Sequence, residues 1–229
     1  MAAGEGRRLR PLTERFAKPV LPIDGRPVLG TLLRELAAAQ IERVTLVVGH
    51  LAEQIERLVG DGRPFGVHAT YVRQPAADGS ADAVARALDA GTPLPALVVG
   101  ADTVFSAGDV GRFVHAWRAS GTEGAVAVRR DPPPAPPHRF AVAIADGLVT
   151  RVLDDDPANP LAGAPLWVLG THARSRLCLD ERPWELGTAY QRAIDEGAAI
   201  AGIEIGKTRD LTDPLDLVDE NFRYLIETT

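Results

Sequence analysis

The sequence predicts an α/β fold with a mixed, mostly parallel sheet flanked by helices. Short apolar runs alternate along the chain with stretches of helical period, the pattern left by crossover units on a sheet. At 229 residues the chain suits one such domain, and a domain of this size buries most of the surface that its unfolded chain would expose. Hydrophobic residues make up 45% and charged residues 24%, which is the balance of a folded chain rather than of a disordered one.

In chain order, Pro27 to Gln40 reads as a helix, because Val28, Leu29, Leu32, Leu33 and Leu36 share one face and Pro27 suits a first helical position. Arg43 to Val48 is expected as a strand, Leu51 to Val59 as a helix, His68 to Val72 as a strand, Ser80 to Ala90 as a helix and Ala96 to Val99 as a strand. Gly108 to Ala119 follows as a helix with Asp109 placed to cap it, and Gly124 to Val128 as a strand. The proline-rich run from Asp131 to His138 cannot be helix and would make a poor ladder strand, so a stiff exposed loop is expected. Beyond it come strands at Arg139 to Ile144, Leu148 to Leu153, Leu166 to Leu169 and Ala198 to Ile205. Helices are expected at Trp184 to Glu196 and at Asp213 to Glu227, with Asp213 near the start of the last. No repeat or heptad appears. One domain over 1–229 is expected, softly divided at the proline-rich loop into halves of about 1–130 and 139–229.

The formal charge of −6 argues against a general nucleic-acid binder, which would need a basic face. An acidic chain that handles phosphates must concentrate its cations locally. Cys178 is the one cysteine, so it has no internal partner for a disulfide and reads as a small packing residue. No apolar run approaches the roughly 18 residues of a membrane helix, and no leader pattern opens the chain. A cytoplasmic protein without a membrane partner is therefore expected.

The first thirty residues are the informative stretch: Ala2-Ala3-Gly4-Glu5-Gly6-Arg7-Arg8-Leu9-Arg10-Pro11-Leu12-Thr13, then Lys18-Pro19-Val20-Leu21-Pro22-Ile23-Asp24-Gly25-Arg26-Pro27. Glycines let backbone N–H groups approach phosphate closely, and Arg and Lys supply the charge that backbone dipoles cannot. A dinucleotide-binding oxidoreductase would need a preceding strand and a third glycine in Gly-x-Gly-x-x-Gly, and two arginines take that place here. These residues resemble the signature of the sugar-1-phosphate nucleotidylyltransferases, the group of glucose-1-phosphate thymidylyltransferase and the UTP-dependent sugar pyrophosphorylases. The blocks Val48-Gly49-His50, Gln74-Pro75, Gly79-Ser80-Ala81-Asp82-Ala83, Val98-Val99-Gly100-Ala101-Asp102 and Arg209-Asp210-Leu211-Thr212-Asp213-Pro214 are similar to family blocks in the family order. The resemblance covers nearly the whole chain and implies a Rossmann-like sheet of the nucleotide-diphospho-sugar transferase type, with the nucleotide bound in the first half and the acceptor in the second.

The implied reaction transfers a nucleoside monophosphate from a nucleoside triphosphate to a phosphorylated sugar or cyclitol, with release of pyrophosphate. Positioning and charge neutralisation carry such chemistry, and no covalent nucleophile is needed. By resemblance Arg8 and Lys18 are the catalytic cations, and Ala2, Ala3, Gly4, Gly6, Arg7, Gln74, Gly79 and Ser80 bind nucleotide. Asp102 and Asp210 hold Mg²⁺, a hard cation that suits carboxylates and retained waters. The five-residue spacing of Gln74 and Gly79 tilts the base toward dTTP or UTP, since an amide pairs with an imide edge, although an exposed turn explains the same residues. A homologue that binds nucleotide without turnover stays open as the alternative, and the oligomeric state is not set by the sequence.

Three departures stand out. Asp155-Asp156-Pro157 occupies the place of a family Glu-Lys-Pro whose lysine grips the acceptor phosphate. At about 4 Å and an effective dielectric near 20, a lysine attracts a unit negative charge by roughly 4 kcal/mol, and an aspartate repels it as much. Asp155 and Asp156 thus mark an altered acceptor end, where an unusual acceptor, a substitute cation (Arg139, Arg151 or Arg174) or lost activity are the readings; Pro165 replaces a glycine there as well. Second, the family's short strand before Ala-Ala-Gly has no counterpart after Met1. A misassigned start or a truncation is expected rather than a functional deletion, because a lost central strand leaves ladder groups unpaired. Third, Arg7 stands where a small hydroxyl residue is usual.

Overall fold

Strand and helix alternate through the first 130 residues much as the periodicity predicts. The computed structural model describes residues 1–130, 141–156, 158–177 and 184–222. The proline-rich run, Arg139, Pro157, Cys178 and the far end of the expected last helix lie outside the described residues. The elements, in order, are β1 (Pro22–Ile23), β2 (Arg26–Pro27), α1 (Val28–Ala38), β3 (Arg43–Val48), α2 (Ala52–Val59), β4 (His68–Arg73), α3 (Ser80–Asp89), β5 (Ala96–Val99), β6 (Thr103–Phe105), α4 (Asp109–Ser120) and β7 (Gly124–Arg130). Then come β8 (Ala141–Ala145), β9 (Leu148–Asp154), β10 (Leu161–Leu169), α5 (Thr171–Ser175), α6 (Leu186–Asp195), β11 (Ile200–Glu204), β12 (Thr208–Asp210) and α7 (Asp216–Asn221). The unexpected elements β1, β2, β6, β12 and α5 are too short to carry a period.

Two compact units divide the chain out of sequence order. The first gathers Met1–Ala77, Gly100–Phe105 and the segment from Thr208. Within it α1 buries the predicted face of Val28, Leu29, Leu32, Leu33 and Leu36. The strands β3 and β4 pair in parallel from Arg43↔His68 to Val48↔Arg73, and Ala2 adds a single parallel bridge to Val48. The short strands β6 and β12 pair antiparallel, with Asp210 opposite Thr103. Leu9, Leu21, Ile23, Val28, Val104 and Leu211 close into one apolar cluster that brings the N-terminal loop and β12 together. Polar contacts then fasten α7 to the β1–β2 hairpin: Asn221 donates to the Pro22 carbonyl and accepts from the Gly25 N–H, both at 2.8 Å, and Arg209 pairs with Glu220 and Asp24.

The second unit, Asp78–Val99 with Ser106–Lys207, is built on a six-stranded sheet in the order β5-β10-β7-β11-β9-β8. Of its ladders β7–β11 is parallel, and the others are antiparallel. The α/β class therefore holds with a larger antiparallel share than alternation alone predicts. The physical reason is the connections: Asp146 and Gly147, both at positive φ, join β8 to β9 as a tight hairpin, which only antiparallel strands permit. The strand expected at Leu166 to Leu169 is longer, and it includes Pro165. The strand starts at Leu161 and passes the proline at a register shift between Gly163 and Trp167, where a missing ladder donor does no harm. Tyr190 of α6 is fully buried beneath the sheet, edge-on to Trp167 and donating to the Val168 carbonyl at 2.6 Å; burial pushes its phenol well above the usual range.

Both expected caps act differently from the simplest form. Gly108 precedes α4, and the carboxylate of Asp109 reaches the Gly206 N–H (2.9 Å) and Arg112 instead. Asp213 accepts the Leu215 N–H (3.0 Å) ahead of α7, while Asp216 takes the N–H groups of Thr212 and Asp213.

Candidate active site

The glycine-rich opening folds as a loop that is held from behind. Ala2 and Ala3 are buried, Ala2 donating to the Val47 carbonyl at 2.7 Å, which anchors the loop on β3. Gly4 is exposed, and a Cβ there would point into open space. Gly6 adopts φ +60°, and a Cβ would fall 2.8 Å from Thr13 Cγ2, so both conformation and space demand glycine. Buried Thr13 donates its hydroxyl to the Gly6 carbonyl (2.8 Å), and His50 Nε2 donates to the Thr13 carbonyl (2.7 Å). Gln54 completes the brace by donating to Arg15 and accepting from Ala17. The cations differ in their freedom. Arg8 is exposed and makes no side-chain hydrogen bond or ion pair among the described residues, whereas Arg7 and Arg10 both reach Glu5 Oε2, at 2.9 and 3.4 Å. The Arg7 hydrogen bond holds the Glu5 carboxyl below the usual carboxylate range.

Lys18 sits deeper, with 13% of its side chain exposed, and its ammonium donates to Asp102 Oδ2 at 2.6 Å. Asp102 immediately precedes β6, and Asp210 ends β12, the partner strand, opposite Thr103. The two sequence-predicted carboxylates therefore come to the same end of one short ladder, from positions over a hundred residues apart in the chain. Asp210 is exposed, with Thr212 Oγ1 at 3.3 Å from one carboxylate oxygen. No group of three or more His, Cys, Asp and Glu side chains with metal-binding geometry occurs among the described residues. Two hard carboxylates at one ladder end are the donor type that suits Mg²⁺, which binds through one or two carboxylates plus substrate phosphates.

The other candidates fall in two places. Gln74 follows β4 in the first unit, buried, with its backbone N–H on the Val48 carbonyl (2.8 Å). Gly79 and Ser80 open α3 in the second unit. Gly79 has φ +112° and a Cβ would land on the Trp184 backbone, so close packing within this unit already requires glycine. The Ser80 hydroxyl donates to Glu185 Oε2 (2.6 Å) and accepts the Leu186 N–H (2.7 Å). Asp155 and Asp156 are exposed in the turn between β9 and β10, where Asp156 Oδ1 accepts the Ala158 N–H (2.8 Å) and Asn159 donates to Asp154 (2.7 Å). Of the substitute cations, Arg151 and Arg174 are exposed. Thr13, His50 and Gln54 were not singled out from the sequence. Thr13 lies inside the motif, and its burial is what turns a signature residue into a brace.

No helix among the described residues is long and apolar enough to cross a membrane. A family model described as nucleotidyl transferase matches residues 1–156. A glucose-1-phosphate thymidylyltransferase of Streptomyces griseus is 30% identical over 238 aligned residues, which take in 100% of this chain and 66% of that protein. The chain spans 64–66% of the length of this and two further curated relatives. Among solved structures, a Bacillus anthracis protein described as a glucose-1-phosphate thymidylyltransferase and solved with sucrose superposes with a TM-score of 0.83 at 21% identity, covering 96% of this chain and 91% of its own. A UTP-bound UGPase from Acinetobacter baumannii gives a TM-score of 0.79 at 20% identity, covering 99% and 92%. These likenesses establish the nucleotide-diphospho-sugar transferase type of fold. Because the family match runs through the braced loop, Lys18 and Asp102 alike, the chain belongs to the nucleotidyl transferase family.

Proposed function

We propose that the protein transfers a nucleoside monophosphate from a nucleoside triphosphate, dTTP or UTP in preference, to a sugar 1-phosphate or a similar phosphorylated acceptor. A phosphate oxygen of the acceptor attacks the α-phosphorus, the bond from that phosphorus to the bridging oxygen breaks, and pyrophosphate leaves with the electron pair. The observation that carries the reading is the Lys18–Asp102 contact at 2.6 Å, formed at the ladder end that also bears Asp210 and in the same unit as the braced glycine loop. A shielded ammonium, an exposed guanidinium and two carboxylates are the parts that phosphoryl transfer asks for.

In this reading the backbone from Ala2 to Gly6, with Arg7 and Arg8, receives the triphosphate, and Lys18 neutralises charge on the α-phosphate and orients the attacking oxygen. Asp102 and Asp210 would hold Mg²⁺, which supplies further charge neutralisation when bound. Asp102 engages Lys18 through Oδ2, so this carboxylate also keeps the ammonium aimed. Gln74, Gly79 and Ser80 are the residues assigned to the base and nucleotide. Asp155 and Asp156 belong to the acceptor end, and their charge points to an acceptor other than glucose 1-phosphate. The whole chain acts as one nucleotidyltransferase domain in the cytoplasm, without nucleic-acid or membrane partners. A coupled pyrophosphate assay with Mg²⁺, a triphosphate and an acceptor panel tests the reading, with release expected only when both substrates are present. Silence across the panel with nucleotide binding intact by calorimetry would instead favour a binding homologue without turnover.

A further inference from the structure

The loop that receives the triphosphate in the reading above carries a carboxylate at its centre, and like charge opposes the arrival of a polyanion. Glu5 lies between Gly4 and Gly6, and one of its oxygens is shared by Arg7 Nε at 2.9 Å and Arg10 Nη2 at 3.4 Å. Resting on that reading, we propose that Glu5 is a built-in counter-anion, holding Arg7 and Arg10 in the free protein and yielding them to the phosphates of the incoming nucleotide, so that its charge sets how tightly nucleotide binds.

Three guanidinium groups crowd into Arg7, Arg8 and Arg10, and without an anion they repel one another. Glu5 relieves two of them and leaves Arg8 without such a partner among the described residues. The clip is made to open. Arg7 and Arg10 are 73% and 54% exposed, and exposed ion pairs are weak, in contrast to the shielded Lys18. Each guanidinium gives Glu5 a single nitrogen, whereas a phosphate accepts two parallel hydrogen bonds from one guanidinium and carries more charge. Exchange therefore gains hydrogen bonds, and the released carboxylate, already 32% exposed, can turn into water.

Calorimetric titration of the intact chain and its Glu5→Gln variant with dTTP, UTP and inorganic tripolyphosphate tests this. Glu5→Gln should tighten all three by roughly three- to tenfold, the scale of breaking one or two exposed ion pairs, and the gain should shrink as salt rises. Arg7→Gln should weaken binding, and in the double variant the Glu5→Gln gain should fall by half or more, because the two residues are coupled. Unchanged or weaker binding by Glu5→Gln beside a wild type that binds would overturn the counter-anion alone. Failure of both proteins to bind any of the three would remove the loop as a triphosphate site, and this inference with it.

Discussion

Two regions of the molecule keep their polar residues in opposite ways. In the first unit, groups far apart in the chain converge: Lys18 meets Asp102, His50 braces Thr13, and β12 carries Asp210 to the end of the ladder where Asp102 stands. In the acidic turn after β9, the polar contacts are mostly local, Asp156 with Ala158 and Asn159 with Asp154, and Asn159 also reaches further, to the Val142 carbonyl. A shielded charge is costly unless it is paired, as Lys18 is by Asp102, while a local turn satisfies its own polar groups. In the proposed reading the converging groups of the first unit serve the nucleotide, and the acidic turn of the second is where the acceptor chemistry departs.

The sharpest way to break this contrast is to remove a converging cation. Lys18→Ala should lower kcat/KM by roughly 10² to 10³, the usual scale for one preorganised charge-stabilising group, and it also strips Asp102 of its partner. Arg8→Ala should fall toward the lower part of that range, since an exposed guanidinium is screened more. Losses below threefold in both variants would show that these cations serve no transition state.

The acceptor end should respond in the opposite direction. Asp156→Lys is expected to improve kcat/KM for glucose 1-phosphate by up to several tens of fold, if about 2 kcal/mol of the charge reversal survives screening by water and salt. The lost Asp156 contact to the Ala158 N–H is a turn contact and should cost little stability, which thermal melting checks. A further drop in activity would mean that the aspartate itself recognises the acceptor.

Smaller shifts separate the two carboxylates. Asp210→Asn should raise the Mg²⁺ concentration for half-maximal activity about tenfold, the scale for a lost ligand-sphere interaction, with little change in melting temperature because the residue is exposed. Asp102→Asn should raise it similarly and also lower the melting temperature, because a shielded Lys18 loses its counter-charge. An unchanged metal titration for either variant would exclude that residue as a ligand.

Much of the first unit was legible in the sequence because its motif is contiguous and glycine, arginine and lysine have distinct physical uses. The apolar face of α1 and the strands β3, β4 and β5 were legible too, since each is long enough to show a period. What the sequence could not display was pairing at a distance. The strands β6 and β12 have three residues each, yet their register is what brings Asp210 beside the segment of Asp102. The strand expected from Leu166 starts earlier, at Leu161, and nothing local announces the register shift that accommodates Pro165. Gly79 read as a base contact, and the packing of Trp184 against it was hidden a hundred residues away.

The measurement that tests the account most directly is pyrophosphate release, with Mg²⁺, across a grid of five nucleoside triphosphates and a set of sugar and cyclitol phosphates. The account predicts release that needs both substrates, is strongest with dTTP or UTP, and is slow with glucose 1-phosphate relative to another acceptor. Preference for ATP or GTP would contradict the nucleotide half of the account, and brisk turnover of glucose 1-phosphate would contradict the acceptor half.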